Sequence, residues 1–215
     1  MSLLRECFSD AVSLEEAAGL TREIEYVIYA ELKDVTELLK ATSIERQFQW
    51  CIYTQNDVNQ GLIRVRCTND TEYTQTTKVK VSGDTAAGKD ENCISIDANQ
   101  FKMFSMLSKT GMYKDRYIFP IPDTDLKWEV DCFIQSDGSY APWCKIDLEL
   151  PDPQAIDFKS LPYPITLGEV LQQNQSDRLD TIYAEHITVV PGKTTKDFNT
   201  KPIAELQAQL TTSQT

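Results

Sequence analysis

Charged residues at spacing two, between Lys114 and Leu150, constrain the fold of this chain more than any other feature. Lys114 and Arg116 are two apart. So are Glu129 and Asp131, and the pattern continues through Lys145, Asp147 and Glu149. Side chains two apart in an extended strand point to the same face. The stretch reads as three short strands joined by turns, each aiming a row of charge one way. Trp128, Val130, Ile146 and Leu148 alternate with the charges and would fill the opposite face. A half-buried sheet that only puts its charges into water need not sort them by sign. Here one strand is basic, the next acidic and the third mixed, which suggests a polyanion and a metal ion held side by side.

Similar rows occur upstream. REIEYVIYA carries Glu23 and Glu25, LIRVRC carries Arg64 and Arg66, and YTQTTKVKV carries Thr76, Lys78 and Lys80. Taken alone, each row describes a solvated face, and REIEYVIYA describes an edge strand with one wet side. Taken together, they fit a sheet curled into a barrel with the rows turned inward. Charges inside a barrel must be paired, bound to metal or bound to a ligand, because isolated ones cost several kcal/mol each. Carboxylates there suit Mg²⁺ or Mn²⁺, hard cations that favour oxygen. Lysines and arginines suit phosphate, arginine in bidentate fashion.

Between these strands the pattern predicts a helix over Lys33 to Ala41 and a strand from Phe48 to Tyr53. It also predicts strands at Leu62 to Cys67, Tyr73 to Val81 and Glu91 to Ile96. Gln100 to Ser108 reads as a helix with Phe101, Phe104 and Leu107 inward. SGDTAAGKD, residues 82–90, reads as a loop and lacks the P-loop pattern. The Pro-rich stretch after Leu150 reads as irregular, with Gly168 and Glu169 in it or just after it. Helices are expected near Ser13 to Gly19, Leu179 to His186 and Ile203 to Leu210. The chain divides into an N-terminal extension, 1–21, one domain over 22–190, and a polar tail, 191–215. The class is α+β with an antiparallel sheet of hairpins.

The net charge of −12 argues against nonspecific binding to nucleic acid or an anionic membrane, though not against a sheltered basic pocket. No window approaches the roughly 18 apolar residues of a membrane span. Arg5, Glu6 and Asp10 make the N-terminus unlike a signal peptide. The six cysteines form no CxxC pair and read as reduced thiols of a cytoplasmic protein. Trp50, Trp128 and Trp143 read as packing, and His186 as a surface or capping residue.

The order of these motifs resembles the CYTH superfamily, the triphosphate tunnel metalloenzymes. EIEYV, Glu23 to Val27, looks like its N-terminal ExExK, with Val27 where the motif has lysine. IRVR, Ile63 to Arg66, is similar to its paired arginines, and TTK, Thr76 to Lys78, to its Thr-x-Lys strand. Glu91 lies where an acidic residue is often found. YKDRY, WEVDCF and KIDLEL resemble the Lys-x-Arg-Tyr, E-V-D and E-x-E strands, and LGEV a later element whose Glu169 faces the tunnel. The resemblance spans about residues 22 to 186 and lies in order and spacing, since no single motif is specific.

The resemblance implies a closed antiparallel eight-stranded β-barrel, a tunnel with flanking helices, that hydrolyses inorganic triphosphate or the triphosphate of a nucleotide or thiamine. It implies Glu23, Glu25, Asp147 and Glu149 as metal ligands, with Glu129, Asp131 and Glu169 as further candidates. It implies Arg64, Arg66, Lys78, Lys114 and Arg116 as phosphate ligands, with Glu23, Glu25, Arg64, Arg66 and Lys114 central to catalysis. Lys80 and Lys145 fit the pattern less closely, and Lys80 is the expected replacement for the lysine missing at Val27. Two rival activities share the scaffold, an adenylyl cyclase and a noncatalytic binder of polyphosphate or nucleotide. The expected partner is a small molecule rather than duplex nucleic acid or a membrane, and the chain is a possible homodimer.

Overall fold

The computed structural model describes residues 21–54, 61–80, 88–108, 110–150, 161–172 and 195–213. The side chains of Glu23, Glu25 and Lys80 lie outside that description, as do the helices expected in residues 1–20 and 179–186. Nine strands form one antiparallel sheet: β1 Thr21–Leu32, β2 Ser43–Thr54, β3 Gly61–Thr68, β4 Glu72–Lys80, β5 Gly88–Ser95, β6 Thr110–Pro120, β7 Lys127–Ile134, β8 Tyr140–Leu150 and β9 Leu167–Gln172. Their order is β5-β4-β3-β2-β6-β7-β8-β1-β9. The N-terminal end of β1 also pairs with β5, Thr21 facing Glu91 and Glu23 facing Lys89.

Several expectations need correction. Among the described residues the sheet has nine strands, one more than the eight expected. The ninth, β9, carries Gly168 and Glu169, which the prolines around it make look irregular in sequence. The strand holding Glu23 and Glu25 is not an edge: β1 has β8 on one side and β5 and β9 on the other. β5 begins at Gly88, inside the expected loop. The helix expected over Lys33 to Ala41 is a 3₁₀ turn, Val35–Lys40, capped by Asp34 Oδ1 accepting from Thr36 N at 2.8 Å.

Two α-helices follow the expected pattern, α1 Ala98–Leu107 and α2 Ile203–Ser213. A capping box starts α1: Asp97 Oδ1 accepts from the backbone N–H groups of Asn99 and Gln100, and Gln100 Oε1 accepts from Asp97 N. Phe101 and Phe104 pack inward as expected, but Leu107, the last residue of the helix, is 67% exposed. At the β7–β8 turn Gly138 holds a φ of +87°, and a Cβ there would lie 1.9 Å from Asn199 O.

The apolar core lies on one face of the sheet, beneath the helices. Ile28, Val130, Cys132, Ile146 and Leu148 pack there with Leu38 of the 3₁₀ turn and Leu210 of α2. Phe48, Trp50, Val65 and Tyr113 form a neighbouring cluster under α1 and Phe198. The charged rows occupy the opposite face, and that face is also enclosed. Every residue of β7 from Trp128 to Ile134 is buried, so the strand is covered on both sides. A solvated row would show the alternating pattern of a half-buried strand. Glu129, Asp131 and Asp147 are 4%, 0% and 2% exposed.

Candidate functional site

The pleat places Lys114 and Arg116 on β6, Glu129 and Asp131 on β7, and Lys145 and Asp147 on β8 in adjoining positions. The ladders run Arg116 to Asp131 to Lys145 and, one step along, Glu129 to Asp147 to Val27. Charge of alternating sign is thus stitched across three strands. Arg116 Nε donates to Asp131 Oδ1 at 2.7 Å and Nη2 to Oδ2 at 2.9 Å, while Nη1 reaches Glu129. Lys114 Nζ donates to the same Asp131, and Lys127 Nζ lies 2.7 Å from Glu129. Lys145 pairs with Asp147, and Arg116 Nη2 stands 3.5 Å from it. On the other side of the site Lys78 pairs with Glu91 at 2.8 Å.

Among the described side chains the interior cations outnumber the carboxylates that reach them. Burial, then Arg64 and Arg116, lower the Arg66 guanidinium to about 9, still charged at neutral pH. Burial and Arg116 hold the Lys114 ammonium well below the usual lysine range despite its contact with Asp131. Burial alone would raise Asp131, but Arg116 and Lys114 overcome it and hold the carboxyl low. Burial drives Lys114 down with Arg116 adding to it, while Arg116 and Lys114 hold Asp131 low against its own burial. The Nε atoms of Arg64 and Arg66 are buried with no hydrogen-bond partner, and Arg66 reaches only Gln49 Oε1, at 3.4 Å. Buried guanidinium donors without an acceptor ask for an anion.

The carboxylates divide into two kinds. Those of Glu129 and Asp131 are occupied by cations on both oxygens, which makes them counter-charges that orient Arg116, Lys114 and Lys127. Asp147 is different: its Oδ1 is buried without a partner, and burial raises its carboxyl above the ordinary range despite Lys145. Backbone register sets Glu25 opposite Glu149, one pleat from Asp147. An all-oxygen set of this kind suits a hard divalent cation. Among the described side chains no three potential ligands converge on a metal position, and Glu23 and Glu25 are outside that set. Glu149 and Glu169 are exposed, Glu169 beside Glu31 rather than with the buried charges.

Three features escaped the sequence reading. Glu45, Gln47 and Gln49 on β2 face Arg116, Lys114 and Arg66, and the signal was there at spacing two. Val27 packs in an apolar cluster with Met112 and Trp143. On the core face, Arg46 grips Asp115 through two bonds of 2.8 and 2.9 Å, Tyr140 donates to Asp115 at 2.7 Å, and Arg46 also reaches the Lys201 carbonyl.

No family model and no curated protein matches the chain. Among solved structures, the inorganic triphosphatase NE1496 is similar at 22% identity with a TM-score of 0.44, over 72% of this chain and 92% of that one. A candidate adenylate cyclase from Bacillus halodurans is similar at 12% identity with a TM-score of 0.43, over 81% of this chain and 96% of that one. The activities named are those proteins' own.

Proposed function

We propose that the protein binds a triphosphate inside a β-tunnel and hydrolyses it with the help of Mg²⁺ or Mn²⁺. The observation that carries this is the pair of buried, unpartnered Nε donors on Arg64 and Arg66, with burial and neighbouring guanidinium groups pressing on Arg66. A triphosphate supplies negative charge at phosphate spacing. The pairing of β1 with β5 supports closure of eight strands around the site, with β9 appended at one end.

In this reading Arg64, Arg66, Lys78, Lys114 and Arg116 grip the phosphates, while Glu129 and Asp131 fix the aim of Arg116 and Lys114. Asp147, with Glu23, Glu25 and Glu149, would hold the cation. Bound there, the cation would polarise a phosphoryl oxygen and lower the pKa of a water. Arg66 and Arg116 stabilise the charge that spreads over the transferred phosphoryl group. In this reading Lys145, paired with Asp147 opposite Val27, takes the place of the missing lysine; Lys80, the expected replacement, has its side chain outside the described residues.

A second reading, a binder that does not turn its ligand over, is favoured by the apolar Val27. Among the described residues the cysteines form no disulfide and no helix is long and apolar enough to cross a membrane. One assay separates the activities. Tripolyphosphate, ATP and thiamine triphosphate are each incubated with the protein and Mg²⁺ or Mn²⁺. Released phosphate supports hydrolysis, cyclic AMP supports the cyclase, and tight binding without product supports the binder. Retention of full triphosphate affinity in Arg66→Ala would refute the site.

A further inference from the structure

The charged face does not stay ionic along its whole length. On β7 it runs Glu129, Asp131, Phe133; on β8 Asp147, Lys145, Trp143, Ala141; on β6 Arg116, Lys114, Met112. On β1 Val27 is followed by Tyr29. Among the described residues these four neighbouring strands thus turn apolar at the same end, with Glu31 beyond Tyr29 at the rim, paired with Lys33. Tyr29, Phe133, Ala141 and Leu171 are buried there as one cluster, at 5%, 1%, 2% and 0% exposure. Leu171 comes from β9, which lies against β1 with Leu171 opposite Tyr29. At the far end Lys127 and Glu149 are exposed.

We propose that the tunnel is blind, stopped at the Phe133 end by this apolar wall, and that it admits phosphate chains only end-first. The proposal rests on the triphosphate reading above and deepens it. A multiply charged phosphate chain cannot pass a dry apolar layer without losing its hydration, which costs many kcal/mol per charge. The chain halts with its terminal phosphate beside Lys114, the last interior cation before Met112 on β6. An organic group on the other end of the substrate stays at the Lys127–Glu149 mouth. The ligand class is therefore any linear phosphate chain with a free terminal phosphate, and an internal stretch of a long chain does not bind. The net charge of −12 disfavours binding of such chains to the outer surface, which keeps the test clean.

The test is calorimetric titration of the full chain with three probes. They are tripolyphosphate, a long linear polyphosphate, and the same long chain with both terminal phosphates capped as bulky phosphoramidates. The expected result is that tripolyphosphate binds and the uncapped long chain takes no more than one protein per end. Capping should weaken the long chain by about tenfold or more. Equal affinity for capped and uncapped chains, or a stoichiometry that grows with chain length, overturns the blind tunnel and leaves the triphosphate site standing. Failure of tripolyphosphate itself to bind overturns both.

Discussion

Val27 stands directly across the β1–β8 ladder from Asp147, whose Oδ1 is buried and unpartnered. An apolar side chain thus faces the one interior carboxylate oxygen, among the described residues, that is left without a donor. Burial raises the Asp147 carboxyl above its ordinary value. A raised carboxyl favours the fold below the unfolded pKa and loses that benefit as pH rises through the folded one. Asp147→Asn removes the ionisation and is expected to gain stability relative to the parent at neutral pH, but not below the ordinary carboxylate range. Thermal midpoints of both proteins across pH check this. An equal difference at all pH values counts against it.

Arg66 sets stability against binding. Its guanidinium is held down to about 9 by burial and by Arg64 and Arg116, so its charge is a cost in the empty protein. Arg66→Ala is expected to leave the ligand-free thermal midpoint unchanged or higher. The same change removes a charged hydrogen bond of about 1.5–3 kcal/mol, so triphosphate affinity falls at least about tenfold. A lower ligand-free midpoint would mark Arg66 as structural.

Lys114 links binding to protons. Its ammonium is held well below the lysine range by burial and Arg116. The charged form binds an anion better, so triphosphate binding draws a proton to it and affinity falls as pH rises through its lowered pKa. Titrations in buffers of different ionisation enthalpy read the uptake directly. Asp131, held low by Arg116 and Lys114 against its own burial, supports the fold above its unfolded pKa. It loses that support as pH falls through the folded pKa.

The Arg46–Asp115 pair tests the division between the two faces of the sheet. Asp115 is 0% exposed, and Arg46→Ala leaves its charge buried beside Tyr140. The expected loss is about 3–5 kcal/mol in denaturant unfolding, with triphosphate affinity of the folded protein unchanged. Lost affinity at full occupancy of the fold would tie this pair to the site.

The rows at Lys114 to Glu149 were legible because strand period is local. Spacing two fixes which residues share a face whatever the rest of the chain does. The same rule made Glu45, Gln47 and Gln49 readable, but one charge and two uncharged polar residues do not stand out from a wet edge. The helix α2, Ile203–Ser213, was legible from its own apolar spacing. β9 was not, because Pro162 and Pro164 mask a strand that forms only against β1.

By itself, then, the sequence settled the strands of the hairpins and the sign of charge that each displays, since both follow from alternation along one segment. Only the tertiary structure decided that the charged face is enclosed, that the Nε donors of Arg64 and Arg66 are buried without a partner, and that Phe133 and Leu171 are buried in one apolar cluster. Those facts depend on residues from five or more strands meeting in space, and burial and electrostatic balance are properties of the meeting, not of any one strand.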